Sequence, residues 1–127
     1  MSPKREHPDA AYVADLVERF GAFAPVSARA MFGGHGLYVD GVMFALVADG
    51  ALYLKTDDAN RPAFEAQRLP PFTYETGGRR TVMSFCAAPE DALDDPEALR
   101  GWFEGARDAA LRALAARRPR GKRGASA

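Results

Sequence analysis

Apolar residues in the first segment, "HPDAAYVADLVERFGAF", fall at Tyr12, Val13, Leu16, Val17 and Phe20, three or four apart, with polar positions between them. That period predicts an amphipathic helix from about Asp9 to Phe20, stopped by Gly21. Beyond it the period shortens to two. "VSARAMF", "GLYVD", "VMFALVAD" and "ALYLKT" are short apolar runs, and Asp40-Gly41 and Asp49-Gly50 separate the last three. A type I′ turn needs positive φ at both central residues, which Asp-Gly tolerates, so the runs predict an antiparallel meander.

Two-residue turns would set the register. Val39 would face Val42, Leu37 would face Phe44, Ala48 would face Ala51 and Leu46 would face Tyr53, all on one side. The opposite side would carry Tyr38, Met43, Ala45, Val47, Leu52 and Leu54. Both sides are then apolar, whereas a sheet with one wet face alternates apolar with polar. Each side is therefore expected to have a cover.

Three helices are available to supply it. In "TDDANRPAFEAQR" Asp57 and Asp58 are candidate caps, and Pro62 fits a first turn in a helix beginning near Asn60. In "DDPEALRGWFEGARDAALRALAARR", Asp95 reads as N-cap, Pro96 as the first helical residue and Glu97 as an acid at the positive end of the dipole. Its stripe is Leu99, Trp102, Phe103, Ala106, Ala110 and Leu114. Between these helices "FTYE" and "TVMSFCAA" form a second hairpin around Gly77-Gly78. The predicted class is α+β: an antiparallel sheet packed by an N-terminal helix, a short middle helix and a long C-terminal helix. Residues 1–8 are expected to be a flexible N-terminus, 9–117 one domain, and 118–127 a disordered basic tail with no apolar content.

The chain has 127 residues, 47% of them hydrophobic, enough for one core without disulfides. Cys86 is the single cysteine, so an internal disulfide or a cysteine-built zinc site is excluded. No secretory h-region is visible, and no run reaches the roughly 18 apolar residues of a membrane span. A soluble cytoplasmic protein without membrane contact is expected. Net charge is zero, but Arg117, Arg118, Arg120, Lys122 and Arg123 lie in the last eleven residues with no acid among them. The body is correspondingly acidic, and the tail is the candidate nucleic-acid contact by counterion release. It lacks interleaved aromatics for base stacking.

Candidate chemistry centres on "MFGGHGLYVDG", Met31 to Gly41. Its spacing matches neither a dinucleotide fingerprint nor a P-loop, and a strand follows it, not a helix. Gly33, Gly34 and Gly36 are better read as permitting a turn, a bulge or a close backbone approach. His35 with Cys86 or Tyr38 is conceivable as a catalytic pair only if the side chains converge. His7 and His35 belong to no metal-ligand pattern, and the acids Asp91, Asp94, Asp95 and Glu97 read as a solvated helix entrance. No catalytic, cofactor-binding or metal-binding residue is assigned.

"RAMFGGHGLYVDGVMFALVADGALYLKTDDANRPAF", "PFTYE", "TVMSF" and the acidic approach to the last helix closely resemble the N-terminal domain of the TfoX/Sxy competence regulators. The resemblance runs from about Phe20 to Leu114. Its most specific parts are "MFGG.G.Y.DG..FALV", "LYLK.DD.N" and "F.Y", which mark Met31, Phe32, Gly33, Gly34, Gly36, Asp40 and Gly41 as structural motif residues. It implies a small bacterial α+β domain without known catalytic residues or cofactor. Longer members are coupled to competence genes in concert with a cyclic-AMP receptor protein and continue into a helical second domain. This sequence stops after one long helix and a basic tail, so a stand-alone N-terminal-domain protein is expected. The resulting expectation is a non-enzymatic regulatory or adaptor protein acting through protein contacts, with transcription machinery or a second copy as partner. The alternative is direct, weakly specific DNA binding by the tail together with Arg29, Arg79 and Arg80.

Overall fold

The computed structural model describes residues 9–31 and 33–117. Phe32, the first eight residues and the tail from Arg118 lie outside them, and so do the expectations placed on His7, Arg118, Arg120, Lys122 and Arg123. Three α-helices and six strands follow in the order α1 (Ala10–Gly21), β1 (Ser27–Met31), β2 (Gly34–Val39), β3 (Val42–Ala48), β4 (Ala51–Lys55), α2 (Arg61–Ala66), β5 (Pro71–Thr76), β6 (Arg79–Ala87) and α3 (Pro96–Arg117). A short 3-10 helix, Glu90–Asp94, leads into α3. The predicted α+β class and the order of its helices are those observed. All strand pairs are antiparallel, in one sheet ordered β1-β2-β3-β4-β6-β5.

Local chemistry explains the turns. Asp40 and Gly41 have φ of 53° and 78°, Asp49 and Gly50 have 51° and 75°, and Gly77 and Gly78 have 58° and 77°. Positive φ at both central residues is the type I′ condition, whose twist matches that of the strands it joins. At the head of α3, Asp95 Oδ1 accepts from the amides of Glu97 and Ala98 at 3.2 and 3.3 Å, and Pro96 occupies a position whose missing N–H costs no helical bond. At α2 the cap is Asn60, with Pro62 in the first turn.

One predicted register is wrong, and it moves half a strand to the other face. Val39 pairs with Val42 and Tyr38 with Met43, but Leu37 pairs with Ala45, leaving Phe44 as the extra residue of a β-bulge. Two residues of one strand opposing one of its partner shift every later side chain by one face. Ala45, Val47, Leu52 and Leu54 therefore join Leu37, Val39, Val42 and Phe44 on the same side, in the core. Leu46, Ala48, Ala51 and Tyr53, expected beside Val39 and Val42, move to the other side with Tyr38 and Met43.

All three helices pack on that first side. Val13, Leu16 and Phe20 of α1, Phe64 of α2 and Leu99, Phe103, Ala106 and Ala110 of α3 complete the core. Phe44, the bulge residue, presents its ring edge-to-face to Phe20 and to Phe103, with centroids 5.1 and 5.0 Å apart. Such a trio ties sheet, α1 and α3 together through the geometry aromatic quadrupoles prefer. Of the covers expected for the two faces, the helices supply one: among the described residues, all three helices lie on the same face. Leu114, expected on the buried stripe of α3, is 41% exposed.

Candidate functional site

The face away from the helices is apolar and concave. Gly34, Gly36, Tyr38, Met43, Leu46 and Tyr53 occupy its outward positions on the central strands. Strand twist coils the sheet, bringing β5 and β6 round toward β1, β2 and β3 although β4 lies between them in strand order. The β5–β6 hairpin extends past β4, which pairs β6 only at Phe85, Cys86 and Ala87. A groove of about 390 Å³ lies between this arm and the body, with Met31, Met43, Leu46, Phe72, Tyr74 and Met83 among its walls.

Sequence builds the groove in two ways. Gly36 has ordinary backbone φ, so its role is space. A Cβ there would stand 2.6 Å from the Met43 sulfur and 3.1 Å from the Met31 sulfur, and its absence lets both thioethers lie across β2. Gly34 is tighter still, with Val47 carbonyl oxygen 2.4 Å from where a Cβ would sit. Gly33 is different: its φ of 78° belongs to the turn before β2. The other wall is aromatic, with Phe72 against Tyr53 at 4.9 Å and stacked on Tyr74 at 6.3 Å. Tyr74 is 44% exposed, a large ring left open at the rim.

Charge on this face is of one sign. Reading outward positions strand by strand, the charged residues are Arg29, Lys55 and Arg79; the one acid in the strands, Glu75 of β5, pairs with Arg80 at the opposite parity. Asp40 and Asp49 sit in turns at strand ends. Arg29 lies over the Tyr38 ring, 5.3 Å from its centroid. Lys55 is already engaged: its amine donates to Ser84 Oγ at 2.7 Å and lies 5.1 Å from the Phe85 centroid. Burial, with a smaller contribution from Arg117, holds its pKa below the ordinary lysine value. Arg79 pairs with Thr76, another wall residue of the groove. Arg80 has the opposite strand parity, so the three arginines proposed for DNA contact do not share a face.

The conceivable catalytic groups do not converge. His35 and Tyr38 point to opposite sides of β2. His35 and Cys86 lie three strand intervals apart, about 14 Å from strand spacing alone. Burial pushes the Cys86 thiol up from its ordinary pKa, which suppresses the thiolate a nucleophile requires. Among the described residues no group of three or more His, Cys, Asp or Glu could hold a metal ion, and no helix is long and apolar enough to cross a membrane.

The TfoX N-terminal domain family matches residues 18–110. The chain belongs to that family. Protein Sxy of Escherichia coli (strain K12) is similar at 29% identity over 122 residues, which cover 94% of this chain and 54% of the relative. The chain thus spans about half the length of the curated relative it matches. In this TfoX N-terminal domain, Met31, Gly34, Gly36 and Tyr38 sit on the groove side of the sheet, whereas Asp40 and Gly41 make a turn at its end. The family's "F.Y" pair supplies Phe72 and Tyr74, the arm's side of the groove. Sequence reasoning missed that joint placement, because only the coiled sheet brings the two motifs together.

Proposed function

We propose that this protein is a non-enzymatic regulatory adaptor of the TfoX N-terminal domain type, acting through protein contacts in the control of competence or transcription. The observation that carries the reading is the open concave face: an apolar, aromatic and methionine-rich surface with helices on its back only. Contiguous exposed apolar surface on a small domain marks an interaction site. Methionine suits such a site, since its flexible thioether re-packs around different partners. Family membership supports the regulatory setting, and the separation of His35 from Cys86 supports a role without catalysis.

Deletion of the gene in its host, followed by measurement of competence-gene transcripts, tests this reading. Complementation by the wild-type chain restores transcript levels, and a folded Tyr74→Asp variant does not. Unchanged transcripts on deletion would remove the regulatory reading, and full rescue by the variant would remove the role of the open face.

Five basic residues without an acid from Arg117 onward support a second reading, direct DNA contact through the tail. It requires duplex retention that weakens steeply with salt and is lost when 117–127 are removed.

A further inference from the structure

We infer that the groove receives an acidic amphipathic segment of a partner protein, its apolar side chains seated on Met31, Met43, Leu46, Phe72, Tyr74 and Met83 and its carboxylates meeting Arg29 and Arg79. This rests on the adaptor reading above and specifies the chemistry of the partner.

Charge selects this occupant. Arg29 lies two residues before Met31 on the same face of β1, its guanidinium over the Tyr38 ring, and Arg79 stands opposite Thr76 on the arm, so the two residues belong to the groove's face of the sheet, one on each of the strands that bear its opposite walls. Neither takes part in an ion pair of the described structure, whereas Arg19, Arg61 and Arg112 are each held by an aspartate. A second copy docking face to face would oppose Arg29, Lys55 and Arg79 to their own images. An isologous interface must be complementary to itself, and a face whose strand positions carry charge of one sign is not. A partner segment with carboxylates beside its apolar stripe satisfies both the walls and the rim.

Single-stranded nucleic acid fits less well. Stacking requires free ring faces, whereas Phe72 is already packed between Tyr53 and Tyr74, and the opposite wall is thioether and aliphatic. An amphipathic helix laid in a groove instead presents anchors at three- and four-residue spacing, with charge along its borders.

Methyl-labelled methionine offers a direct readout, since three of the four methionines, Met31, Met43 and Met83, line the groove. The probes are two synthetic 18-residue helices with the same leucine stripe, one flanked by glutamate and the other by lysine, titrated into the full chain. The glutamate helix is expected to shift the three groove methyl signals saturably, and the lysine helix to bind at least about tenfold more weakly. In the doubly substituted variant Arg29→Glu, Arg79→Glu the preference reverses, while its circular dichroism stays that of the wild type. Equal binding of the two helices, no reversal in the variant, or no shift with either helix overturns the proposal. So do methyl shifts that depend on protein concentration alone, which would assign the face to a second copy, and selective shifts by a dT12 oligonucleotide. Because the transcript experiment needs no assumption about charge, rescue that depends on Tyr74 alongside failure of the glutamate helix would reject this partner chemistry and leave the adaptor reading standing.

Discussion

Asn60 donates through Nδ2 to the carbonyl oxygen of Gly105, 3.3 Å away on α3. The same amide nitrogen donates to the Lys55 carbonyl at 3.0 Å, and Asn60 Oδ1 accepts from the Asp57 amide at 2.7 Å. One side chain thus joins the end of β4, the start of α2 and the middle of α3. Asn60→Ala leaves two carbonyls and one amide without these partners and is expected to lower stability by about 1–3 kcal/mol. Urea unfolding checks it, with a lower midpoint at unchanged slope. A loss below about 0.5 kcal/mol would show that water replaces these bonds freely.

Gly34 and Gly36 have the same strand parity but different neighbours, so alanine should separate them. At Gly34 the obstacle is backbone, the Val47 carbonyl oxygen at 2.4 Å, which moves only with the β2–β3 ladder. Gly34→Ala is expected to cost about 1–3 kcal/mol or to prevent folding. At Gly36 the nearest atom is the mobile end of Met43, at 2.6 Å. Gly36→Ala should cost about 1 kcal/mol or less, the thioether rotating away, and it should alter the Met31 and Met43 methyl signals. Equal destabilisation by the two variants would contradict this division.

These glycines show what the sequence carried and what it did not. "GGHG" announced backbone geometry because no phosphate-binding context surrounds it, and Asp-Gly announced hairpins because few pairs accept positive φ twice. The bulge at Phe44 left no such mark. Every residue from Val42 to Val47 is apolar, so both registers look equally good in one dimension, and only the need to seat Phe44 between Phe20 and Phe103 favours one. The groove was hidden for the same reason, since the coil that brings Phe72 and Tyr74 toward Met31 and Met43 belongs to the whole sheet. Asn60 read as a helix-start residue, and its bond to Gly105 spans 45 positions. Leu114 kept the period of its helix but lies where the sheet no longer covers it.

Gly101 lies inside α3, is exposed, and has no atom within 4 Å of where a Cβ would stand. Nothing in the packing requires glycine there, and glycine in a helix interior costs roughly 0.8–1 kcal/mol relative to alanine. Gly101→Ala is therefore expected to raise stability by about that amount. A thermal melt would record it as a higher Tm with unchanged groove methyl signals. A lower Tm would mean that α3 needs the flexibility of Gly101.

Asp57 binds Arg112 through two bonds, Oδ2 accepting from Nε at 2.6 Å and Oδ1 from an Nη at 3.0 Å. The hydrogen bond from Arg112 is the main cause that holds the Asp57 carboxyl below its ordinary pKa, aided by the amides of Asn60 and Ala59. A folded-state pKa below the unfolded one means that the carboxylate stabilises the fold above the ordinary value near 4, and that this contribution is lost as pH falls through the depressed folded value. Asn at position 57 retains an oxygen for the turn amides while removing the charge. With half of the Arg112 side chain exposed, screening limits the pair, so Asp57→Asn is expected to cost only about 0.5–1 kcal/mol near neutral pH. That difference should shrink toward about pH 2 and in high salt. Urea midpoints of the two proteins measured across this range provide the check. A difference that stays constant with pH and salt would assign the effect to packing and remove the ion pair from the account of stability.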